Sequence, residues 1–234
     1  MGKDSDFFLG EAKRIGAETI IDLGCGTGIL TVELAKQSSR VVGVDPAGEM
    51  LKLARNRPGG QQVQWLKGST EAFAGLDLLD SGGADLVIMT SHVAQFFLKE
   101  SAWNQALEAI EQILKPGGRL LFDSRNPLTW AWRNWTWAKS RRTVHHAEFG
   151  DVEMWTELVN EKTNRVQFEL HYHFNQSGER LSSLNELIFR SREELEESFH
   201  HHELTVEALY GDWDCSPFLD SSEEMLYLVQ KPRL

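Results

Sequence analysis

The first half of the chain alternates between short apolar runs and segments with apolar residues at helical spacing. A short apolar run predicts a buried strand, and apolar residues every three or four positions predict an amphipathic helix. The predicted strands occupy residues 20–23, 41–45, 62–67, 84–90 and 118–123, and the predicted helices 6–16, 29–35, 48–56 and 103–114. Strands and helices that alternate at this spacing favour a parallel sheet covered by helices on both faces, so the predicted fold class is α/β.

The pattern changes after Pro127, where four tryptophans precede a series of stretches in which apolar and polar residues alternate. Such alternation predicts strands with one buried face, and the segment 175–178 predicts a hairpin turn. The alternating stretches cover 143–149, 152–160, 165–175 and 181–190, and they are followed by a predicted helix at 191–199 and predicted strands at 204–210 and 225–230. We therefore predict a core over residues 1–127, an antiparallel β insertion that forms a lid over 128–190, and completion of the core by 191–234.

The first strand leads directly into a turn with glycines at three alternate positions, Gly24, Gly26 and Gly28. Glycine is favoured where a turn needs unusual backbone angles or where a ligand approaches the main chain closely. A helix that follows such a turn directs free N–H groups at the ligand, which suits a carboxylate, a phosphate or a ribose. A dinucleotide fingerprint requires Gly-x-Gly-x-x-Gly, whereas position 29 is isoleucine, so the spacing disfavours a nicotinamide-dependent oxidoreductase.

This alternate-glycine turn, with Asp22 before it and Asp45 at the end of the second strand, resembles the first motifs of class I S-adenosylmethionine-dependent methyltransferases. The run Leu-Lys-Pro-Gly-Gly-Arg at 114–119 adds to the resemblance, which covers residues 17–127 and about 191–231. It implies a Rossmann-like fold with a seven-stranded, mostly parallel sheet. It also implies S-adenosyl-L-methionine as the cofactor and S-adenosyl-L-homocysteine as the product. The runs 89–97, 122–127 and 211–218 resemble one bacterial branch of small-molecule methyltransferases (methyltransferase domain family 11/25-like), which fixes no substrate.

The resemblance assigns cofactor contacts position by position. It implies a methionine-end turn, a ribose ligand at the second strand, and two residues that flank the adenine. It also implies contacts after the third strand, near the adenine amine, and after the fourth strand, near the methionyl amine. In that order the residues are Asp22, Gly24, Cys25, Gly26 and Gly28; Asp45; Pro46 and Met50; Gly68, Ser69 and Thr70; and Thr90 and Ser91. Ser69 stands where the family often has an acid, and an ordinary turn is the alternative interpretation of Ser69 and Thr70.

Two further side chains follow core strands at the edge where open α/β folds place reacting groups. His92 follows the fourth strand and titrates near neutrality, so it is a candidate base for an acceptor hydroxyl or amine. Arg125 follows the fifth strand and is a candidate partner for a substrate carboxylate or phosphate. The alternatives are a histidine bonded locally or packed on the cofactor, and an arginine paired with a nearby Asp or Glu. The tryptophans of the insertion either line an acceptor pocket or join the lid to the core.

Composition and charge exclude several classes of function. The formal net charge of -11 opposes binding to a polyphosphate backbone, so nucleic acid is an unfavourable partner. No apolar run reaches the roughly 18 residues that a membrane helix needs, so we expect a cytoplasmic protein with no membrane partner. The two cysteines indicate neither a disulfide framework nor a zinc site. The histidines at 145–146, 171, 173 and 200–202 lack the spacing of a metal site, so we expect no metal.

These observations lead to one main hypothesis and two rivals. The main hypothesis is an S-adenosylmethionine-dependent methyltransferase that modifies oxygen, nitrogen or carbon of a small soluble acceptor, as a monomer or homodimer. One rival is a methyltransferase-like module that binds the cofactor without turnover. The other is an oxidoreductase of the NAD type.

Overall fold

The computed structural model describes residues 2–78 and 82–233 and contains a seven-stranded sheet and a separate four-stranded sheet. The first sheet has the strand order β10-β11-β5-β4-β1-β2-β3, and β11 alone runs antiparallel to its neighbours. Its strands are β1 (Thr19–Leu23), β2 (Arg40–Asp45), β3 (Gln64–Lys67), β4 (Ala84–Met89), β5 (Leu114–Arg125), β10 (Thr205–Tyr210) and β11 (Glu224–Gln230). The predicted α/β, Rossmann-like architecture with a seven-stranded, mostly parallel sheet is confirmed.

The second sheet is antiparallel throughout and lies in the chain between β5 and the last helix. Its strands, in spatial and sequence order, are β6 (Arg142–His146), β7 (Gly150–Lys162), β8 (Arg165–Phe174) and β9 (Arg180–Ile188). The hairpin between β8 and β9 is where the sequence predicts it, and the N–H of Gly178 donates to the carbonyl of Phe174 at 2.8 Å. The tryptophan segment packs on one end of this sheet through a small apolar cluster that includes Trp132, Val166 and Phe189.

Six α-helices are found within the described ranges, and several cover the two faces of the large sheet. They are α1 (Lys3–Ile15), α2 (Ile29–Leu34), α3 (Gly48–Asn56), α4 (Glu100–Ile113), α5 (Trp137–Ser140) and α6 (Arg192–His201). One face packs under α4 and α6 around Trp103 and Phe199, and the other packs under α1 and α2 around Phe8 and Leu34. Because both faces are buried, the central strands consist almost entirely of apolar residues. None of these helices is both long enough and apolar enough to cross a membrane.

Local signals explain where the elements begin and end. Gly16 ends α1 in the left-handed conformation, with φ of 68°, and α6 begins with a capping box in which Ser191 and Glu194 exchange hydrogen bonds. Several boundaries differ from the sequence expectation by a few residues, and two of these differences change the interpretation of a segment. Strand β5 begins at Leu114, because the Pro-Gly-Gly segment forms an irregularity within the pairing to β4 and not a separate turn. The histidine run also starts inside α6, since that helix extends to His201.

Candidate active site

The carboxyl ends of the parallel strands meet at one edge of the large sheet, where open α/β folds bind ligands. Strand β1 ends there in the glycine turn, and β4 ends there in Thr90, Ser91 and His92. The antiparallel strand β11 begins at the same edge with Glu224, paired in register with Arg125 of β5. The topology therefore gathers the predicted site residues from distant parts of the sequence.

The glycine turn is fixed by hydrogen bonds to the end of β2. The N–H groups of Gly24 and Cys25 both donate to the carbonyl of Val44, at 2.7 and 3.1 Å. The carboxylate of Asp45 accepts from the N–H of Gly26 and from the N–H of Ala47, each at 2.8 Å. Asp45 is 8% exposed, so these charge-assisted bonds are shielded from solvent and hold the turn firmly.

Two cavities border the glycine turn. The first, about 320 Å³, is lined by the turn, the end of β4 and the first turns of α1, namely Asp4, Ser5, Phe8, Asp22, Gly24, Cys25, Gly26, Thr27, Ile29, Leu30, Thr90 and Ser91. The second, about 420 Å³, lies beyond Gly24 and is lined by Pro46, Ser69, Thr70, Glu71, Val93, Phe96 and other residues. A Cβ atom on Gly24 would lie 2.3 Å from a methyl group of Val93, and Gly24 has φ of 79°. Gly24 thus separates the cavities where only glycine fits.

Asp22 carries an unpaired carboxylate oxygen in the first cavity. Its Oδ2 accepts from the hydroxyl of Thr31 at 2.6 Å, whereas its buried Oδ1 has no hydrogen-bond partner among the described residues. Burial, with a smaller contribution from the charge of Asp45, raises the pKa of Asp22 to about 7. A buried acceptor without a partner costs stability unless a ligand supplies the donor.

His92 lies in a cluster of carboxylates at the same sheet edge. Its Nε2 is 2.9 Å from Oε2 of Glu224 and 3.3 Å from Oδ2 of Asp123, and its main-chain N–H donates to that Oδ2 at 2.9 Å. Asp123 is fully buried, and its Oδ1 has no partner within the described ranges. Burial raises the pKa of Asp123 to about 6. His92 has φ of 64° and the preceding Ser91 has φ of 57°, so the backbone is strained where it presents the imidazole.

Arg125 connects this cluster with the insertion. Its guanidinium donates to the amide oxygen of Gln95 at 3.0 Å and lies 5.5 Å from the ring centre of Trp135. Burial lowers the pKa of Arg125, and the charges of Glu224 and Asp123 oppose that effect. The carboxylates that the sequence left as possible structural partners therefore act on Arg125 through charge, while its hydrogen bond goes to a neutral side chain.

The segment after His92 is held by side chains and main-chain groups of the insertion. The guanidinium of Arg190 donates to the carbonyls of Ala94 and Phe97, and that of Arg165 donates to the carbonyl of Leu98 at 2.6 Å. The side chain of Gln95 donates to the carbonyl of Ile188 at the end of β9. We call residues 93–98 the clamped segment. It joins the second sheet to the cavity that Val93 and Phe96 line.

Comparison with known proteins agrees with this geometry. Residues 20–118 match the family model of a methyltransferase domain. A protein of Geobacillus sp. (strain WCH70), provisionally named a methyltransferase, is 37% identical over 113 residues, which cover 47% of this chain and 43% of the relative. The chain spans about half the length of the curated relatives that it matches.

Solved structures are similar over nearly the whole chain. An S-adenosylmethionine-dependent methyltransferase from Clostridium acetobutylicum superposes with a TM-score of 0.76 at 18% identity and covers 98% of this chain and 91% of that one. The sugar N-methyltransferase KedS8 from Streptoalloteichus sp. has a TM-score of 0.74 at 16% identity, covering 100% and 88%. Residues 20–118 therefore form a methyltransferase domain, and the chain as a whole has the fold of class I methyltransferases. The methyltransferase domain predicted from the glycine turn and Asp45 is thereby confirmed.

Most of the predicted cofactor residues of this methyltransferase domain lie at the two cavities. The first cavity contains Asp22, Gly24, Cys25, Gly26, Thr90 and Ser91, and the second contains Gly24, Pro46, Ser69 and Thr70. Asp45 holds the turn between them. Gly28 has a packing reason for being glycine, since a Cβ there would lie 2.5 Å from Trp65. Met50 is 44% exposed on α3 and is not among the residues that line either cavity. Gly68, with φ of 145°, is likewise outside both linings, and its N–H donates to the carbonyl of Asp45.

The residues present fit S-adenosylmethionine. The orphaned Oδ1 of Asp22 suits the ammonium group of a methionyl moiety, and the alternate glycines let a ligand approach the main chain between the cavities. Helix α2 begins after Gly28 but spans only Ile29–Leu34, so its dipole contributes little to ligand binding. Side-chain charge and exposed backbone therefore supply the recognition.

Asp22→Asn should make the ligand-free protein more stable at pH 8 while weakening its ligand binding. The raised pKa means that the folded protein holds the Asp22 proton more tightly than the unfolded chain does. The stability from this group is therefore full below pH 3.8 and is lost as the pH rises through about 7. The cost of ionised Asp22 is up to about 4 kcal/mol. We expect a Tm about 10 °C higher at pH 8 and a gain less than half as large at pH 5, measured by calorimetry.

The control for this prediction is Asp151→Asn, at an exposed carboxylate of the insertion. It should change neither the Tm nor the affinity for S-adenosylhomocysteine. A lower Tm for Asp22→Asn at pH 8 would contradict a buried, uncompensated charge at position 22.

Several residues of the site were missed by sequence reasoning. The carboxylates of Glu224 and Asp123 contact the His92 ring, and the amide oxygen of Gln95 accepts a hydrogen bond from Arg125. Asp4 and Ser5 of α1 line the first cavity. An acid that ends a buried strand, as Asp123 does, is a signal that could have been used. Glu224 gives no such signal, because only the antiparallel pairing of β11 brings it to this edge.

Proposed function

We propose that this protein is an S-adenosylmethionine-dependent methyltransferase that acts in the cytoplasm on a small soluble acceptor. The observation that carries the proposal is the first cavity, which Asp22, with its unpaired buried Oδ1, lines together with the glycine turn.

The cofactor would be held from end to end by residues of the sheet edge. Asp22 would receive the methionyl ammonium, beside the ends of β4 at Thr90 and Ser91. The Asp45 oxygens, which accept one backbone N–H each, keep lone pairs for the ribose hydroxyls. The second cavity, with Pro46 on one side and Ser69 and Thr70 on another, has the position and partly apolar walls that an adenine needs.

The acceptor would bind on the other side of Ser91, between the His92 cluster and the insertion. Arg125 and Trp135 are in contact there, and the guanidinium would donate hydrogen bonds to a carboxylate or phosphate of the acceptor. Residues 128–190 would act as the lid, since Trp135 of their tryptophan segment packs against the guanidinium of Arg125. The name of KedS8, a sugar N-methyltransferase, supports an acceptor of this size with a nucleophilic nitrogen or oxygen.

When bound, the sulfonium cofactor supplies an electrophilic methyl group for in-line displacement. The chain's own contribution is alignment, which can lower a barrier by about 7 to 11 kcal/mol. Removal of the acceptor's proton by His92 can add about 10² to 10⁴ in rate. The buried cluster around His92 would keep this proton transfer away from bulk water.

Calorimetry with S-adenosylhomocysteine tests the cofactor assignment directly. We expect one site per chain with micromolar or tighter affinity and a raised Tm, and no effect of NAD or NADP at the same concentration. Heat with a nicotinamide nucleotide alone would support the oxidoreductase alternative and overturn the proposal.

Turnover separates an enzyme from a module that only holds the cofactor. The protein and S-adenosylmethionine are incubated with a panel of amino sugars, phenols and small carboxylic acids, and S-adenosylhomocysteine formation is measured. We expect product above the no-acceptor rate with at least one class of acceptor. Binding without product across the panel would favour the module.

A further inference from the structure

Two carboxylates beside His92 restrict which ring nitrogen can react. Glu224 Oε2 lies 2.9 Å from Nε2, and Asp123 Oδ2 lies 3.3 Å from the same atom. An ionised carboxylate only accepts hydrogen bonds, so a neutral imidazole facing it must carry its proton on Nε2. Nδ1 then has a free lone pair, and within the described residues no protein group bonds to it.

The two carboxylates that hold His92 lie on paired strands and are largely shielded from solvent. The side chains of His92, Asp123 and Glu224 are 15%, 0% and 20% exposed, and the two acids lie on neighbouring strands β5 and β11. The second bond of Asp123, to the main-chain N–H of His92, fixes the backbone that carries the ring. Such a doubly supported imidazole has little freedom to rotate.

The charges of the cluster would stabilise the positive ring that forms when His92 takes a second proton. Asp123 and Glu224 offer two negative charges, and Arg125 is the cation whose charge acts on both of them. With a pKa of about 6, Asp123 is ionised at pH 8. A second proton on His92 would bring these charges close to balance, and in a shielded site such compensation is stronger than in water.

We propose that Glu224 and Asp123 are positioning residues that hold His92 as the Nε2–H tautomer and make Nδ1 the atom that takes the acceptor's proton. This inference rests on the proposed function, in which His92 acts as the base. As the acceptor heteroatom bonds to the methyl carbon, the carbon–sulfur bond breaks and its electron pair stays on sulfur. The proton of the heteroatom moves to Nδ1, and the resulting imidazolium is balanced by Glu224 and Asp123.

The tautomer is testable without knowledge of the acceptor. Full-length protein labelled with ¹⁵N-histidine is examined by NMR at pH 8, and His92→Asn identifies the His92 signals. We expect a slowly exchanging, downfield proton on Nε2 and an unprotonated Nδ1. The signal should be lost in Glu224→Ala and retained in Glu223→Ala, a matched change at the exposed neighbouring acid.

Two outcomes, one from NMR and one from zinc titration, would overturn the inference. The first is a proton on Nδ1 with Nε2 unprotonated, which would mean that a carboxylic acid donates to the ring. The second is stoichiometric Zn²⁺ uptake that disappears in Glu224→Ala, because Nε2 would then carry a metal in place of a proton. Neither outcome affects S-adenosylhomocysteine calorimetry, so failure of this inference is distinct from failure of the proposed function.

A kinetic experiment tests the role of the charge. With the acceptor found in the turnover panel, Glu224→Gln keeps an acceptor for Nε2–H but removes the negative charge. We expect kcat to fall about tenfold, a normal affinity for S-adenosylhomocysteine, and partial recovery in Glu224→Asp. An unchanged kcat and pH profile in a well-folded Glu224→Gln variant would contradict the positioning role.

Discussion

Asp45→Ala should weaken S-adenosylhomocysteine binding by about 100-fold or more. Two hydrogen bonds from ribose hydroxyls to a carboxylate are worth roughly 1.5 to 3 kcal/mol each. The substitution also frees the N–H groups of Gly26 and Ala47, which Asp45 holds at 2.8 Å, so the turn loses its shape together with its ligand. Isothermal titration calorimetry gives the affinity, and a thermal melt shows how much stability the turn loses.

Asp45→Asn separates the two contributions to that loss. An asparagine keeps one acceptor for a backbone N–H, so the melting temperature should recover more than the affinity does. Glu49→Ala is the matched surface control, because that carboxylate is 83% exposed and pairs with Lys52. Near-normal binding by Asp45→Ala would remove Asp45 from the ribose role and leave it as a structural part of the turn.

His92→Asn should lower methyl transfer by about 10² to 10⁴ while leaving S-adenosylhomocysteine affinity within twofold. The base is lost, but asparagine tolerates the left-handed backbone at position 92, where φ is 64°. Alanine would add backbone strain and confuse the result. Initial rates of S-adenosylhomocysteine formation over a range of pH give the measurement, using the acceptor identified by the panel.

The control for the histidine is His200→Asn at the exposed end of α6, which should leave the rate unchanged. If His92→Asn turns over normally, the imidazole is not the base and its bonds to Glu224 and Asp123 are structural. A joint loss of turnover and cofactor affinity would instead indicate that position 92 shapes the cofactor cavity through Ser91.

The elements that the sequence predicts best are those with local signals. Strands β1, β2 and β4 are continuous apolar runs ended by polar or glycine residues, and the helical period of α4 places Trp103 and Leu107 in the core. The glycine turn and Asp45 were recognisable because a ligand approaching the backbone demands small residues and a fixed acceptor at set positions. These signals lie within a few residues of one another, so the sequence alone contains them.

The features that escaped prediction depend on contacts between distant segments. Glu224 reaches His92 across 132 positions, and it does so because β11 runs antiparallel beside β5. Gln95 is buried between Arg125 and the carbonyl of Ile188, which an isolated amide in a loop does not reveal. The packing requirement at Gly28, which the sequence assigns to the cofactor turn, was missed for the same reason, since its neighbour Trp65 lies on another strand.

The clamped segment has a consequence for engineering new acceptor specificity. An insertion transplanted from a relative as residues 128–190 alone would remove both Arg165 and Arg190, whose guanidinium groups donate to the carbonyls of Ala94, Phe97 and Leu98. Carbonyls left without these donors would then cost stability. A graft that also exchanges residues 93–98 keeps donors and acceptors matched. The smallest exchangeable unit of this fold is thus discontinuous in sequence.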